Sequence, residues 1–128
     1  EMKRITIAFL ISLLVIVSGC VTKPTDEQLR EADYGSYPSD YETIIKNYMS
    51  TRLKDPYSAQ YSFAGMPNMR WVSGLGQPLL FGYGTCATIN AKNSYGAYSG
   101  ASTYFFLIKN GQVVSDQYVS DLNRKLCN

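Results

Sequence analysis

The residues best suited to chemistry in this sequence are its three cysteines, because the chain contains no histidine. Histidine is the commonest general base near neutral pH and the commonest metal ligand, so both roles lack their usual residue. The cysteines are Cys20, Cys86 and Cys127. A cysteine thiol can be acylated, can form a disulfide or can bind a metal ion. The segments around each cysteine indicate which of these applies.

Cys20 follows a segment with the features of a secretory signal. Lys3 and Arg4 give it a positive start, residues 5–17 are almost wholly apolar, and two small residues come directly before the cysteine. This order is typical of a signal that is removed during export, and the apolar run is short for a transmembrane helix. The sequence therefore predicts a signal peptide over residues 1–19.

Residues 17–20, Val-Ser-Gly-Cys, resemble the lipobox of bacterial lipoproteins. In that family the cysteine thiol receives a diacylglycerol, the signal is cleaved, and the new amino group is acylated, as with palmitate. The resemblance implies a membrane anchor on Cys20. One acyl chain binds a protein to a membrane reversibly, whereas two or three chains hold it there almost permanently. In enterobacterial lipoproteins an aspartate after the cysteine retains the protein in the inner membrane, and here that residue is Val21. The resemblance therefore implies delivery to the outer membrane of a Gram-negative cell, facing the periplasm.

Export would place Cys86 and Cys127 in a compartment where disulfides form and persist. We expect a bond between them, closing a loop of about 42 residues and stabilising the domain by about 4 kcal/mol in the chain-entropy description. The alternatives are two free thiols, a metal pair, or bonds to other chains. Two cysteines without histidine make a poor metal site, so we expect no metal and no cofactor.

Other catalytic patterns are weak. Residues 82–87 match the dinucleotide fingerprint G-x-G-x-x-A, but that chemistry requires a helix to open within the motif, and the segment is predicted as continuous strand. No S-x-x-K motif occurs, and no neighbour of Cys86 is suited to lowering its pKa. From Cys20 onward the chain has ten basic and nine acidic residues, and the basic residues do not form a run. The sequence therefore gives no indication of a basic patch that could bind nucleic acid. We expect a protein that is not an enzyme.

The exported chain is long enough for one domain. Residues 20–38 carry prolines, a glycine and charges, and are predicted to be a lipidated flexible tether. A domain over residues 39–128 then begins with an amphipathic helix at residues 39–54. Ser39 and Glu42 have capping-box spacing, Arg52 and Lys54 suit the last turn, and Asp55-Pro56 ends the helix.

Beyond this helix the period of the pattern changes to that of strands. In residues 79–91 the alternate residues share one face and Cys86 lies on the other, and Asn110-Gly111 is a strong two-residue hairpin signal. A short C-terminal helix near residues 116–126 would bring Cys127 to the sheet. The predicted fold class is α+β: an N-terminal amphipathic helix packed on an antiparallel sheet of three to five strands, with a short C-terminal helix. The strand segments are 57–63, 69–72, 79–91, 102–108 and 112–114.

Residues 90–100 are predicted to form a loop, which is rich in glycine, serine, asparagine and tyrosine and also contains Lys92. The loop serves either as a plain hairpin connection or as a recognition loop, since tyrosines among small residues are typical of binding paratopes. Together with residues 53–59 and Cys86, it is similar to small proteobacterial outer-membrane lipoproteins that carry LKDPxSA and NAKNSYGGYxG stretches. Ala97 replaces the second glycine of that pattern. The resemblance covers about residues 38–114 and implies a location and a shared domain, without a mechanism.

We therefore expect a binding or structural module of an envelope or secretion complex, with a protein partner and with Lys92, Tyr95 and Tyr98 as contact residues. One alternative is an inhibitor or exclusion lipoprotein that blocks a hydrolase or a phage receptor. Another is a binder of cell-wall glycan that uses exposed tyrosines. The chain has eleven tyrosines, and we expect most of them to serve packing.

Overall fold

The computed structural model describes residues 23–74 and 77–128, and in this part the chain is an α+β domain with a five-stranded antiparallel sheet. The predicted fold class is confirmed at this level. The predicted signal and Cys20 lie outside the described residues. The α-helices are α1 (Asp26–Glu31) and α2 (Tyr41–Ser50), short 3-10 helices cover Pro56–Ser58 and Arg124–Cys127, and the strands are β1 (Gln60–Phe63), β2 (Asn68–Gly74), β3 (Gln77–Asn90), β4 (Ser102–Lys109) and β5 (Gln112–Tyr118).

The long strand β3 organises the sheet. One edge of β3 pairs with β4, and the other edge pairs with two strands in succession, β2 along its first half and β1 along its last four residues. β5 pairs with the far side of β4. The predicted hairpin between β4 and β5 is confirmed, because Asn110 and Gly111 both have positive φ, as a tight two-residue turn requires.

The first face of the sheet packs against α2. Ile45 and Met49 of the helix are buried with Ala87, Ile89 and two residues of β4. Cys86 belongs to a separate buried cluster on the opposite face, so the predicted alternation along β3 is confirmed. Fully burying one large apolar side chain stabilises a fold by roughly 1.5 to 3 kcal/mol. The cluster between α2 and the sheet is therefore a principal source of stability.

The helix α2 is shorter than the predicted segment 39–54, and it follows α1 in the described chain. Its N-cap is Asp40, which makes no side-chain capping bond, so the predicted capping box is wrong. At the other end, Ser50 Oγ donates to Asn47 O and Thr51 Oγ1 donates to Tyr48 O. Such local side-chain bonds offer the backbone an alternative to the helical ladder, and the helix ends at that point. Arg52 and Lys54, which were predicted to lie in the last turn, therefore lie beyond the end of α2.

The C-terminal segment covers part of the second face. Leu126, Cys127 and Val119 pack against buried residues of β2, β3 and β4. The predicted C-terminal helix is wrong: the segment holds one 3-10 turn, because the Asn123 side chain accepts a bond from Ser120 N and donates to Tyr118 O. The segment nevertheless brings Cys127 to Cys86, with 5.6 Å between their Cα atoms and the sulfurs at bonding distance. The structure thus contains a disulfide-capable pair.

Residues 33–38, which the sequence places in the tether, contact the sheet. The ring of Tyr34 meets Phe81 edge-on at 5.5 Å, and the ring of Tyr37 meets Tyr83 edge-on at 5.3 Å. Asp33 pairs with Lys109 at 3.8 Å. By contrast, α1 has no buried residue. Within residues 23–74 and 77–128, the structure contains no helix that could span a bilayer.

The glycines of the G-x-G-x-x-A match have a packing role. They lie inside β3, so no helix opens there to hold a pyrophosphate. A Cβ atom on Gly84 would lie 2.6 Å from ring carbons of Phe105 and 2.7 Å from Arg70 Cγ. The absence of a side chain therefore lets the Phe105 ring, which is 1% exposed, lie directly on the strand.

We predict that Gly84→Ala lowers the free energy of unfolding by about 1 to 3 kcal/mol, because the Phe105 ring must leave its position. Urea unfolding measures the change. Gly74→Ala is the matched control, since a Cβ atom there finds ordinary contacts at 3.6 Å and beyond. Equal stability of the two variants would show that the close approach at Gly84 is unimportant.

Candidate functional site: a tyrosine surface on a braced loop

The loop between β3 and β4 is a small, well-bonded hairpin. Lys92 and Tyr98 pair as an isolated antiparallel bridge. At its tip the Asn93 side chain accepts bonds from Tyr95 N at 2.9 Å and from Ala97 N at 3.3 Å, and Asn93 N donates to Ala97 O at 2.8 Å. Gly96 has φ 76° and so needs to be glycine, whereas Ala97 has no positive φ. The departure at Ala97 from the resembling pattern therefore causes no backbone strain.

Ser58 braces this hairpin against the 3-10 helix Pro56–Ser58. Its hydroxyl accepts a bond from Lys92 N at 2.8 Å and donates to Asp55 O at 2.7 Å. Its carbonyl accepts a bond from the Tyr98 hydroxyl at 2.9 Å. The two stretches that carry the lipoprotein resemblance, residues 53–59 and 90–100, are therefore joined in one structural unit.

Three tyrosines are exposed on this unit, and we call them the tyrosine surface: Tyr57, Tyr95 and Tyr98. Tyr95 is 95% exposed at the hairpin tip, Tyr57 is 101% exposed next to Ser58, and Tyr98 is 43% exposed. The Lys92 ammonium lies 5.7 Å from the centre of the Tyr98 ring. The structure thus brings together the predicted contact residues Lys92 and Tyr98, and places Tyr95 at the tip of the same hairpin.

The other tyrosines serve packing, as expected for most of them. Eight of the eleven tyrosines make ring–ring contacts within the described part of the chain. The three that make none are those of the tyrosine surface. Tyr57 and Tyr95 are almost fully exposed without an aromatic neighbour, so their rings contribute little to folding and are available for binding. Tyr98 is partly exposed and also braces the hairpin.

Sequence reasoning missed Tyr57 and Ser58. The sequence pattern predicts that Tyr57 begins a strand, but β1 begins at Gln60. The sequence signal that could have identified Ser58 is Asp55-Pro56. A proline at the first helical position, preceded by a side chain that accepts a hydrogen bond, favours the start of a short helix. In the structure, the Asp55 side chain accepts a bond from Ser58 N. The tertiary contacts to the hairpin have no local signal in the sequence.

Reactive groups are scarce around this surface. Within residues 23–74 and 77–128, no three histidine, cysteine, aspartate or glutamate residues lie close enough together to hold a metal ion. Cys86, one of the two paired cysteines, is 3% exposed. In another part of the domain, burial and then a 2.6 Å hydrogen bond to Asp116 raise the pKa of the Tyr48 hydroxyl. The arrangement offers rings, hydroxyls and a cation for recognition.

Comparison of the chain with protein-family models, with curated proteins and with solved structures gives no match.

Proposed function

We propose that this protein is an outer-membrane lipoprotein, anchored through Cys20, whose domain binds another protein of the envelope through the tyrosine surface. The observation that carries the binding role is the separation of the tyrosines into two groups. Eight rings contact other rings, and the remaining three are exposed together on one braced unit. Tyrosine gives a large amphipathic contact area at low entropic cost, because it has few rotatable bonds.

The bracing of the loop supports this role. A loop that must become ordered on binding loses part of its interaction energy to entropy. Here the Asn93 side chain closes the hairpin tip and Ser58 fixes its base, so the backbone that carries Tyr95 and Tyr98 is ordered before a partner arrives. The mixed character of the surface, with rings, hydroxyls and the Lys92 cation, is typical of protein interfaces.

The test is a crosslinking pull-down from intact cells that express the lipidated protein. The variant Tyr57→Ala/Tyr95→Ala removes the two fully exposed rings and leaves the bonds to Ser58 intact. We expect recovery of a defined envelope protein to fall at least tenfold, since exposed aromatic anchors contribute roughly 1 to 2 kcal/mol or more each to an interface. The pair Tyr95→Ala/Tyr98→Ala tests the sequence-derived residues and should act in the same direction.

Tyr118→Ala is the matched control, because that ring is 58% exposed on β5 and contacts Tyr104. Equal recovery with wild type and with Tyr57→Ala/Tyr95→Ala would contradict the proposal. Binding of purified cell wall by the wild type, lost in the same variant, would instead support the glycan-binding alternative. Suppression of a hydrolase or a phage without any host partner would support the inhibitor alternative.

A further inference from the structure

A basic cleft lies beside the tyrosine surface, where the chain after α2 meets β3, the hairpin and β4. Its volume is about 230 Å³. The charged residues that line it are all basic: Arg52, Lys54 and Lys92. Asn93, Ser99 and Ser102 add polar groups to the lining. Lys92 belongs to both features, since its side chain also lies over the Tyr98 ring.

These three cations have no carboxylate partner among the described residues. The ion pairs there join Lys46 to Glu42 and Lys109 to Asp33. No carboxylate lines the cleft among the described residues. Asp55, next to Lys54 in sequence, accepts a bond from Ser58 N, and Asp116 accepts one from the Tyr48 hydroxyl. Like charges gathered in one cleft repel each other and attract an anion.

Arg52 is held in place for such a role. Its guanidinium carbon lies 3.5 Å from the centre of the Tyr48 ring. Its Nη1 atom donates to Tyr48 O at 3.0 Å and to Thr51 Oγ1 at 3.3 Å, at the C-terminal end of α2. A guanidinium carries five N–H donors, more than the contacts of Arg52 with Tyr48 and Thr51 require. The planar guanidinium is therefore oriented in advance and retains donors for a carboxylate.

We propose that the basic cleft binds carboxylate side chains of an acidic segment of the protein partner, an inference that rests on the function proposed above. The volume suits side chains better than a larger ligand, since sites for drug-sized molecules measure about 300 to 1,000 Å³. Lys92 connects the cleft to the tyrosine surface, so one extended segment reaches both. The tyrosines would bind its apolar groups, and the cations would select its charge and orientation.

The test uses the full chain in nonionic detergent micelles and a fluorescein-labelled peptide of six glutamates, with binding followed by fluorescence anisotropy. We expect the peptide to bind at low salt and to dissociate as salt is raised, whereas the matching peptide of six glutamines does not bind. Lys54→Gln/Lys92→Gln removes two charges and keeps the backbone bond from Lys92 N to Ser58. We expect it to weaken binding about fivefold to tenfold.

Lys125→Gln is the control, because that lysine lines a separate cavity with residues of β2 and should change the affinity less than twofold. Equal binding of the two peptides, or equal weakening by the control, would overturn the inference. A third result would also overturn the inference: the protein binds phosphatidylglycerol vesicles, Lys54→Gln/Lys92→Gln abolishes that binding, and the glutamate peptide does not bind. The cleft would then bind lipid phosphate.

The peptide experiment contains no native partner, so its result is independent of the pull-down. If the tyrosine variants lose the partner and Lys54→Gln/Lys92→Gln retains it in full, the proposed function stands and the inference fails. If the glutamate peptide binds as expected and no partner is recovered, the cleft is an acidic-segment site and the proposed function fails.

Discussion

Replacing Cys86 and Cys127 together by alanine is expected to lower the free energy of unfolding by about 4 kcal/mol. The two cysteines are 41 residues apart in sequence, and the chain-entropy description assigns about this stabilisation to a bond that closes such a loop. Small domains have a net stability of only about 5 to 15 kcal/mol, so the bond would supply a large part of it. We propose that it forms after export, in an oxidising compartment.

The loss has a structural component as well. The last turn of the chain packs Leu126 and Cys127 on a cluster that includes Cys86, Phe105 and Leu107. Without the bond, the segment is held by the packing of Leu126, by a bond from Arg70 Nη2 to Asn128 O and by one 3-10 turn. We therefore expect the amide protons of residues 119–127 to exchange with solvent much faster in the variant, while those at the centre of β3 stay protected.

Urea unfolding with and without a reducing agent measures the effect. Reduction should move the wild-type midpoint to that of Cys86→Ala/Cys127→Ala and leave the variant unchanged. Alanine is preferred to serine because Cys86 is 3% exposed, and a buried hydroxyl without a partner would add its own cost. A wild-type midpoint that does not respond to reduction would show that the pair is unbonded or contributes nothing.

Local patterns were reliable where a short segment determines its own geometry. The alternation in residues 79–91 separates Ala87 and Ile89 from Cys86, because successive residues of a strand point to opposite faces. Asn110 and Gly111 both tolerate positive φ, so the hairpin is determined by its two central residues. Each of these predictions needs no information from a distant part of the chain.

Predictions that depend on distant contacts were less accurate. Leu53 continues the apolar spacing of α2 and packs on the same core, yet it lies beyond the end of the helix. Helical spacing therefore overestimated the length of α2. The pairing of β1 and β2 with the same edge of β3 is also invisible in the sequence, because register between strands depends on connections and packing of the whole sheet.

The candidate site was predicted only in part, for a related reason. Tyrosines of a core and tyrosines of a binding surface look alike in composition, and only their neighbours distinguish them. Tyr95 and Tyr98 stand in a loop-like segment, so the sequence indicates them. Tyr57 stands next to an aromatic, strand-like run, and it becomes a candidate only when Ser58 is seen to join its segment to the hairpin.

The anchor gives the other prediction with a large effect. We expect the wild type to take up an alkyne-labelled fatty acid in growing cells, and Cys20→Ala to take up none, while Cys86→Ala/Cys127→Ala remains labelled. The chemical reason is that the acyl chains would be bound covalently to Cys20, and alanine has no thiol that can carry a diacylglycerol. Each buried methylene contributes about 0.8 kcal/mol, so two or three such chains would hold the protein almost permanently on a membrane. Mass spectrometry of the wild type should find a chain that begins at residue 20 and carries lipid. Labelled Cys20→Ala would contradict the assignment of the anchor.

The same cysteine also tests the disulfide, because three thiols in an oxidising compartment leave one unpaired. Acylation of Cys20, as proposed, would remove that odd thiol and leave Cys86 and Cys127 as the pair. If residues 20–128 are exported behind an ordinary cleavable signal, the domain should be released from the membrane and should form disulfide-linked dimers through Cys20. The same chain with Cys20→Ala should be released without disulfide-linked dimers. Membrane retention of both chains, after a wash that strips peripheral proteins, would mean that the anchor lies elsewhere.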